Sequence, residues 1–200
     1  MKRGAVILAA GQGSRFNGKK QFFELEGKPL WRHVYDKMKH VMDGDGNLVV
    51  VGVDIKGGAT RSESVLNGLC ALDNDTDRVI ILEAARPLVT EEQMRILLEN
   101  DAPSQSFVMP LVDTVIMRDG TYIDRDRMYD LLTPQAFDYK KLIAAYRTGK
   151  YENMTDETRV MYEEYGIKPL LTETCDNLIK VTYRKDLYVI GQMVRERNGK

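Results

Sequence analysis

The chain has 200 residues, 43% of them hydrophobic, and its 29 basic and 30 acidic side chains leave a net charge of −1. That length buries one sizeable core and is short for two, so a single domain over residues 1–200 is expected. The near-neutral balance excludes a general nucleic-acid binder, whose affinity needs a broad basic face, and any anion site must be local.

Ala5 to Ala9 reads as a first strand. The apolar run it belongs to, Ala5 to Ala10, is too short for a signal-peptide core, and no stretch approaches the length of a membrane span. A cytoplasmic protein with no membrane partner is the expectation. The strand leads into LAAGQGSRFNGKKQF, Leu8 to Phe22, which carries three glycines, one arginine and two lysines with no acid. His33 and His40 stand seven apart on one helix face, the wrong spacing for a local zinc pair. Leu48 to Val53 is the next strand. Thr60 with Glu63 forms a capping box opening a helix whose apolar stripe is Val65, Leu66, Leu69 and Leu72.

Val79 to Leu82 is a third strand, and Thr90 with Gln93 opens a helix that turns Met94, Leu97 and Leu98 inward. Phe107 to Val112 follows as a strand. Residues 113–133, DTVIMRDGTYIDRDRMYDLLT, break the alternation, and the Asp119-Gly120 turn signal between β-prone runs predicts a protruding hairpin arm. Such an arm packs on a partner chain or stays a solvated flap. Ile179 to Thr182 reads as a last strand, and Leu187, Ile190 and Val194 recur at helical spacing after it. Cys70 and Cys175 lack metal-site spacing, are too few for a disulfide framework, and are expected to be structural. Together these elements predict an α/β domain with a largely parallel sheet.

Three glycine-loop chemistries compete for the opening stretch. The dinucleotide fingerprint needs a third glycine where Phe16 stands. Gly13 to Lys19 matches the spacing of a P-loop, but Lys20 and Gln21 replace its Ser or Thr, and Gly27 and Pro29 interrupt the helix that should follow. A nucleotidyltransferase loop fits better. Ala9, Ala10 and Gly11 allow a nucleotide close to the backbone, while Arg15 and Lys20 supply charge for a triphosphate.

The stretch AAGQGSRFNGKKQFFELEGKPL resembles the signature of the 2-C-methyl-D-erythritol 4-phosphate cytidylyltransferase family, whose fold the ribitol 5-phosphate cytidylyltransferases share. The resemblance continues in order through GGATRSESVLNGL, EAARPLVT, DTVIMRDG, DR with LTPQAF, TDET and NLIKVT, nearly the whole chain. It implies a single Rossmann-like nucleotidyltransferase domain with a mostly parallel central sheet and an arm. It also implies transfer of CMP from CTP to a polyol phosphate, release of pyrophosphate, and Mg2+ on the triphosphate.

By motif position the resemblance assigns Ala9, Ala10, Gly11, Gly13, Gly58, Arg61 and Ser64 to the nucleotide. Arg15, Lys20 and Lys180 become the catalytic cations, with Lys20 and Lys180 flanking the α-phosphorus. Glu83, Arg86, Thr114 and Arg125 fall to the acceptor, Glu83 doubling as a metal ligand and Arg125 coming from the neighbouring subunit of a homodimer. Glu83 and Asp54 also follow predicted strands, where open α/β sheets gather ligands, and that argument is independent of the family.

Three departures touch the acceptor. Ile116 stands where erythritol-type enzymes carry a lysine, Glu83 replaces an aspartate, and the glycine loop is shortened before Lys20. DRDRMYDLLTPQAF looks closer to the ribitol type and AARP to the erythritol type. The expectation is a cytidylyltransferase for the erythritol phosphate, with ribitol 5-phosphate or a catalytically weakened relative as alternatives.

Overall fold

The structure is a computed structural model that describes residues 1–43, 47–174 and 178–197. The chain runs β1 (Arg3–Leu8), the short ribbons β2 (Glu24–Leu25) and β3 (Lys28–Pro29), α1 (Leu30–Val41), β4 (Leu48–Val51), α2 (Arg61–Ala71), β5 (Arg78–Glu83) and α3 (Glu91–Glu99). Then come β6 (Ser104–Pro110), β7 (Val115–Ile116), β8 (Tyr122–Ile123), β9 (Tyr129–Asp138), α4 (Tyr139–Arg147), α5 (Glu157–Tyr165), β10 (Leu170–Glu173) and α6 (Arg184–Arg197).

Six strands form one sheet in the order β10-β6-β9-β5-β1-β4. β1 lies parallel to both β4 and β5, and β10 is parallel to β6, while β9 runs antiparallel between β5 and β6. Side chains alternate across this sheet. Ala5 and Ile7 of β1 join Val34 and Met38 of α1 and Met94, Leu97 and Leu98 of α3 on one face. Val6 meets Val65 and Leu69 of α2, Leu142 of α4 and Met161 of α5 on the other. A parallel sheet covered on both faces explains why β1 and β5 read as unbroken apolar runs.

A third, smaller core joins the two ends of the chain. Phe16 of the glycine loop packs with Leu25, Leu30 and Leu88 against Val181 and Ile190. Burying these side chains together fixes the loop against α6, and Arg184 stacks over the rings of Phe16 and Phe23 at 5.7 and 5.1 Å.

Both predicted helix openings are present, with one difference. Thr90 and Gln93 make the full reciprocal box. Thr60 accepts from the Glu63 amide, but the Glu63 carboxylate reaches back to the Ala59 amide instead of that of Thr60. The arm is shorter than residues 113–133: its ribbon is β7 paired with β8, and from Tyr129 the chain has entered β9. The predicted strand Ile179 to Thr182 has no regular secondary structure and joins no sheet; its Val181 amide donates to the carbonyl of Ala85, just after β5, at 2.8 Å. Cys70 is a free, exposed thiol, and Cys175 lies outside the described residues.

Candidate active site

The register of the sheet builds the site. β1 and β5 align Leu8 with Glu83, so both strands end at the same edge. The Ala84 amide donates to the Leu8 carbonyl at 3.1 Å, which carries Ala9 to Gly11 past Glu83 to Ala85. Between them opens a cleft of about 290 Å³, lined also by Gln12, Lys20, Gln21, Gly58 to Arg61, Ser64 and Lys180. A second hollow of about 410 Å³ shares Ala9, Ala10, Gln12, Gln21 and Gly58 with it and continues past Asp54.

Close backbone approach has a visible cause here. A Cβ added at Gly57 would stand 2.2 Å from the Ala10 Cβ, so the loop before α2 packs directly on the end of β1 only because both residues are small. Gly13 has a left-handed φ of 66°, and an added Cβ would fall 1.9 Å from the Gly18 carbonyl oxygen. Its carbonyl accepts from the Phe16 and Gly18 amides. Gly13 therefore closes the loop and does not line the cleft.

Lys20 and Lys180 arrive from opposite ends of the chain. Lys20 starts a single helical turn, Lys20–Phe22, and its Nζ donates to the Val181 carbonyl at 2.6 Å. Val181 is fully buried in the third core, so the residue beside it, Lys180, is held at the cleft. Lys180 Nζ pairs with Glu83 Oε2, and Glu83 Oε1 lies 3.8 Å from the Arg61 guanidinium. Burial alone would raise the Glu83 carboxyl, but Lys180 and then Arg61 hold it below the ordinary carboxylate value. Burial, then the like charges of Lys180 and Arg15, lower Lys20 below the ordinary lysine value against the opposing pull of Glu83.

Other expected site residues stand as follows. Ser64 lines the cleft, but its hydroxyl donates to the Thr60 carbonyl and accepts from the Gly58 amide, so it shapes the loop. Arg61 lines the cleft with its guanidinium forked onto Glu157. Arg15 is exposed outside the cleft lining, near enough for its charge to weigh on Lys20. Arg86 lies outside the lining too, with Nε on the Thr133 hydroxyl at 2.8 Å and another nitrogen on the Leu178 carbonyl. Asp54 accepts from the Val50 amide at 2.8 Å and closes the turn after β4. Thr114 and Arg125 are exposed on the arm and line no part of this cleft in their own chain, and Arg125 donates to the Val112 carbonyl.

Sequence reasoning missed Gln12, Gln21, Thr60 and Ala84 in the lining, none of which carries a charge signal. It included Glu157 within TDET but gave it no role. Among the described residues no cluster of three or more His, Cys, Asp or Glu could hold a metal, and Glu83 is the lone acid of the cleft lining. One carboxylate is a sufficient protein share for magnesium when phosphates supply other oxygens.

Residues 4–196 match the family model described as IspD, 2-C-methyl-D-erythritol 4-phosphate cytidylyltransferase. A protein of that name from Chromobacterium violaceum is 32% identical over an alignment of 222 positions that takes in 97% of this chain and 98% of the relative. Another from Desulforamulus reducens is 28% identical over an alignment of 226 positions, taking in 97% of this chain and 96% of the relative. Among solved structures, the bifunctional IspDF from Campylobacter jejuni has a TM-score of 0.82 at 26% identity, over 94% of this chain and 54% of that longer one. On the match across nearly its whole length, the chain belongs to the 2-C-methyl-D-erythritol 4-phosphate cytidylyltransferase family.

Proposed function

We propose that this protein transfers CMP from CTP to 2-C-methyl-D-erythritol 4-phosphate and releases pyrophosphate. The observation that carries the proposal is the convergence of Lys20 and Lys180 on one cleft whose other wall is Ala9, Ala10, Gly11 and Gly58. An oxygen of the acceptor phosphate attacks the α-phosphorus of CTP as the bond to the bridging oxygen breaks, and that oxygen leaves with pyrophosphate. Two anions must meet, and charge grows on the α-phosphate oxygens. Fixed ammonium groups there stabilise the transition state more than the ground state, and alignment of the reactants supplies much of the rest.

Arg15, exposed outside the cleft lining with its charge weighing on Lys20, would meet the outer phosphates in this reading. A phosphate monoester is already ionised near neutral pH, so no general base is required. The histidines agree with this: His33 donates to the Leu25 carbonyl and His40 pairs with Glu91, both away from the cleft lining. Mg2+ would be held by the triphosphate with Glu83 as its protein ligand, and when bound it neutralises phosphate charge.

We further propose a homodimer in which Thr114 and Arg125 of the arm serve the partner's acceptor site. Neither residue lines the cleft of its own chain, and the arm exposes Ile116 at 52%, Met117 at 51% and Tyr122 at 75%. Apolar side chains gathered on one projecting element call for cover. Sedimentation of the protein at micromolar concentration tests this: a fully active monomer would refute the dimer. The cytoplasm, where CTP is made and used, is the proposed location, and no described helix is long and apolar enough to cross a membrane.

Pyrophosphate release from CTP with a panel of polyol phosphates tests the reaction. The erythritol phosphate should turn over fastest. Faster release with ribitol 5-phosphate would reassign the acceptor, and CTP binding without turnover of any acceptor would refute the enzymatic role.

A further inference from the structure

Beneath the cleft floor lies a charge that the proposed chemistry does not use. Glu157 opens α5, and its side chain is 0% exposed. A carboxylate so buried persists only when paired and hydrogen-bonded. Arg61 grips both oxygens, at 2.5 and 2.9 Å, and the Tyr146 hydroxyl donates to Oε1 at 3.0 Å. Burial and the adjacent Glu157 carboxylate push the Tyr146 phenol well above its ordinary value, so it stays a donor.

The same guanidinium stands 3.8 Å from Glu83 Oε1, too far for a hydrogen bond and close enough for strong attraction. The other Glu83 oxygen holds Lys180. Four side chains thus alternate in charge from the interior to the cleft: Glu157, Arg61, Glu83, Lys180. A bridge that served only to join α5 to α2 would need no contact with Glu83.

We propose that Glu157 is a positioning residue for CTP binding: by occupying the Arg61 fork, it prevents Arg61 from capturing Glu83 and leaves that carboxylate to moor Lys180 in the cleft. Planar, five-donor guanidinium groups seek bidentate carboxylate partners. Without the Glu157 charge, the nearest such partner of Arg61 is Glu83. Lys180 then becomes a free four-carbon chain that CTP must order for itself. The inference rests on the proposed role of Lys180 at the nucleotide.

Calorimetric titration of the full chain with CTP, across wild type, Glu157→Gln, Glu83→Gln and the double variant, tests it without any acceptor. Glu157→Gln should weaken CTP binding roughly threefold to tenfold, the cost of immobilising one long side chain. In the Glu83→Gln background the same change should have less than about a twofold effect, because coupled residues are not additive. Losses that multiply, or wild-type affinity in Glu157→Gln, would overturn the proposal. Should Glu157→Gln not fold, as urea unfolding will show, Tyr146→Phe removes only the hydroxyl bonded to Oε1. Its smaller loss should likewise vanish beside Glu83→Gln, and persistence there overturns the proposal. A wild-type chain that does not bind CTP would instead refute the proposed function, so the two failures are distinct.

Discussion

Replacing Lys180 with alanine separates catalysis from folding at the centre of the site. The side chain is 35% exposed and pairs with Glu83, which is 12% exposed. Loss of one fixed donor to a developing anion costs roughly 3 to 4 kcal/mol, or about two to three powers of ten in kcat. The folding cost should be smaller. Breaking a buried pair and orphaning its partner costs about 3 to 5 kcal/mol, whereas a solvated pair contributes about 0 to 1. Glu83 retains Arg61 at 3.8 Å, so it is not orphaned. The expected loss of stability is therefore between those limits, about 1 to 2 kcal/mol. Pyrophosphate release at saturating CTP and acceptor gives kcat, and urea unfolding of the same preparation gives stability. Near-normal turnover would remove Lys180 from the mechanism. A loss of activity that followed the fraction unfolded would make the residue structural.

Three further outcomes follow from the same geometry. Burial and the Lys180 charge lower the Lys20 ammonium in the free chain, so wild-type kcat/KM should fall on the alkaline side below the ordinary lysine value of 10.5, and Lys20→Arg should move that fall upward. An unmoved limb would detach Lys20 from the pH profile. The Glu83 pKa is lowered in the fold, so its contribution to stability is complete above the ordinary value of 4.5 and is lost as pH falls through the lowered one. The stability gap between wild type and Glu83→Gln, measured in urea, should thus close in acid, and a constant gap would contradict the pairing. Gly57→Ala puts a methyl 2.2 Å from the Ala10 Cβ and should destabilise the protein by about 1 to 3 kcal/mol while weakening CTP binding. Ala10→Gly in the same chain should restore part of both, and its failure to do so would place the clash elsewhere.

The sequence revealed elements whose burial is apolar. β1 and β5 are covered on both faces, and the capping threonines Thr60 and Thr90 carry their own local hydrogen bonds. β9 was hidden because it buries polar groups inside the sheet. Gln135 is fully buried with its amide on Asp156, and in its neighbour β6 Ser106 donates to the Leu132 carbonyl while Gln105 reaches Thr172. Such residues read as loop until their partners are known. β10 was missed for the opposite reason: Leu170 and Leu171 are 44% and 45% exposed on an edge strand, so no alternation marks it.

In the site, the small residues after β1 and the cations of the loop were legible from chemistry alone. Lys180 needed the family resemblance, because its place depends on Val181 entering a core with Phe16. Glu157 falls within the TDET match, but its role was illegible. An acid in the first turn of a helix reads as a solvated partner of the helix dipole, and only tertiary packing turns it toward Arg61. Arg86 shows the converse, a strong local signal whose guanidinium holds Thr133 and Leu178 together.

A crystal structure with a non-hydrolysable CTP analogue tests the convergence of the two lysines most directly. The Nζ atoms of Lys20 and Lys180 should both lie within about 2.7 to 3.2 Å of α-phosphate oxygens. An α-phosphate bound away from either ammonium group, with Lys180 still engaged only by Glu83, would contradict it.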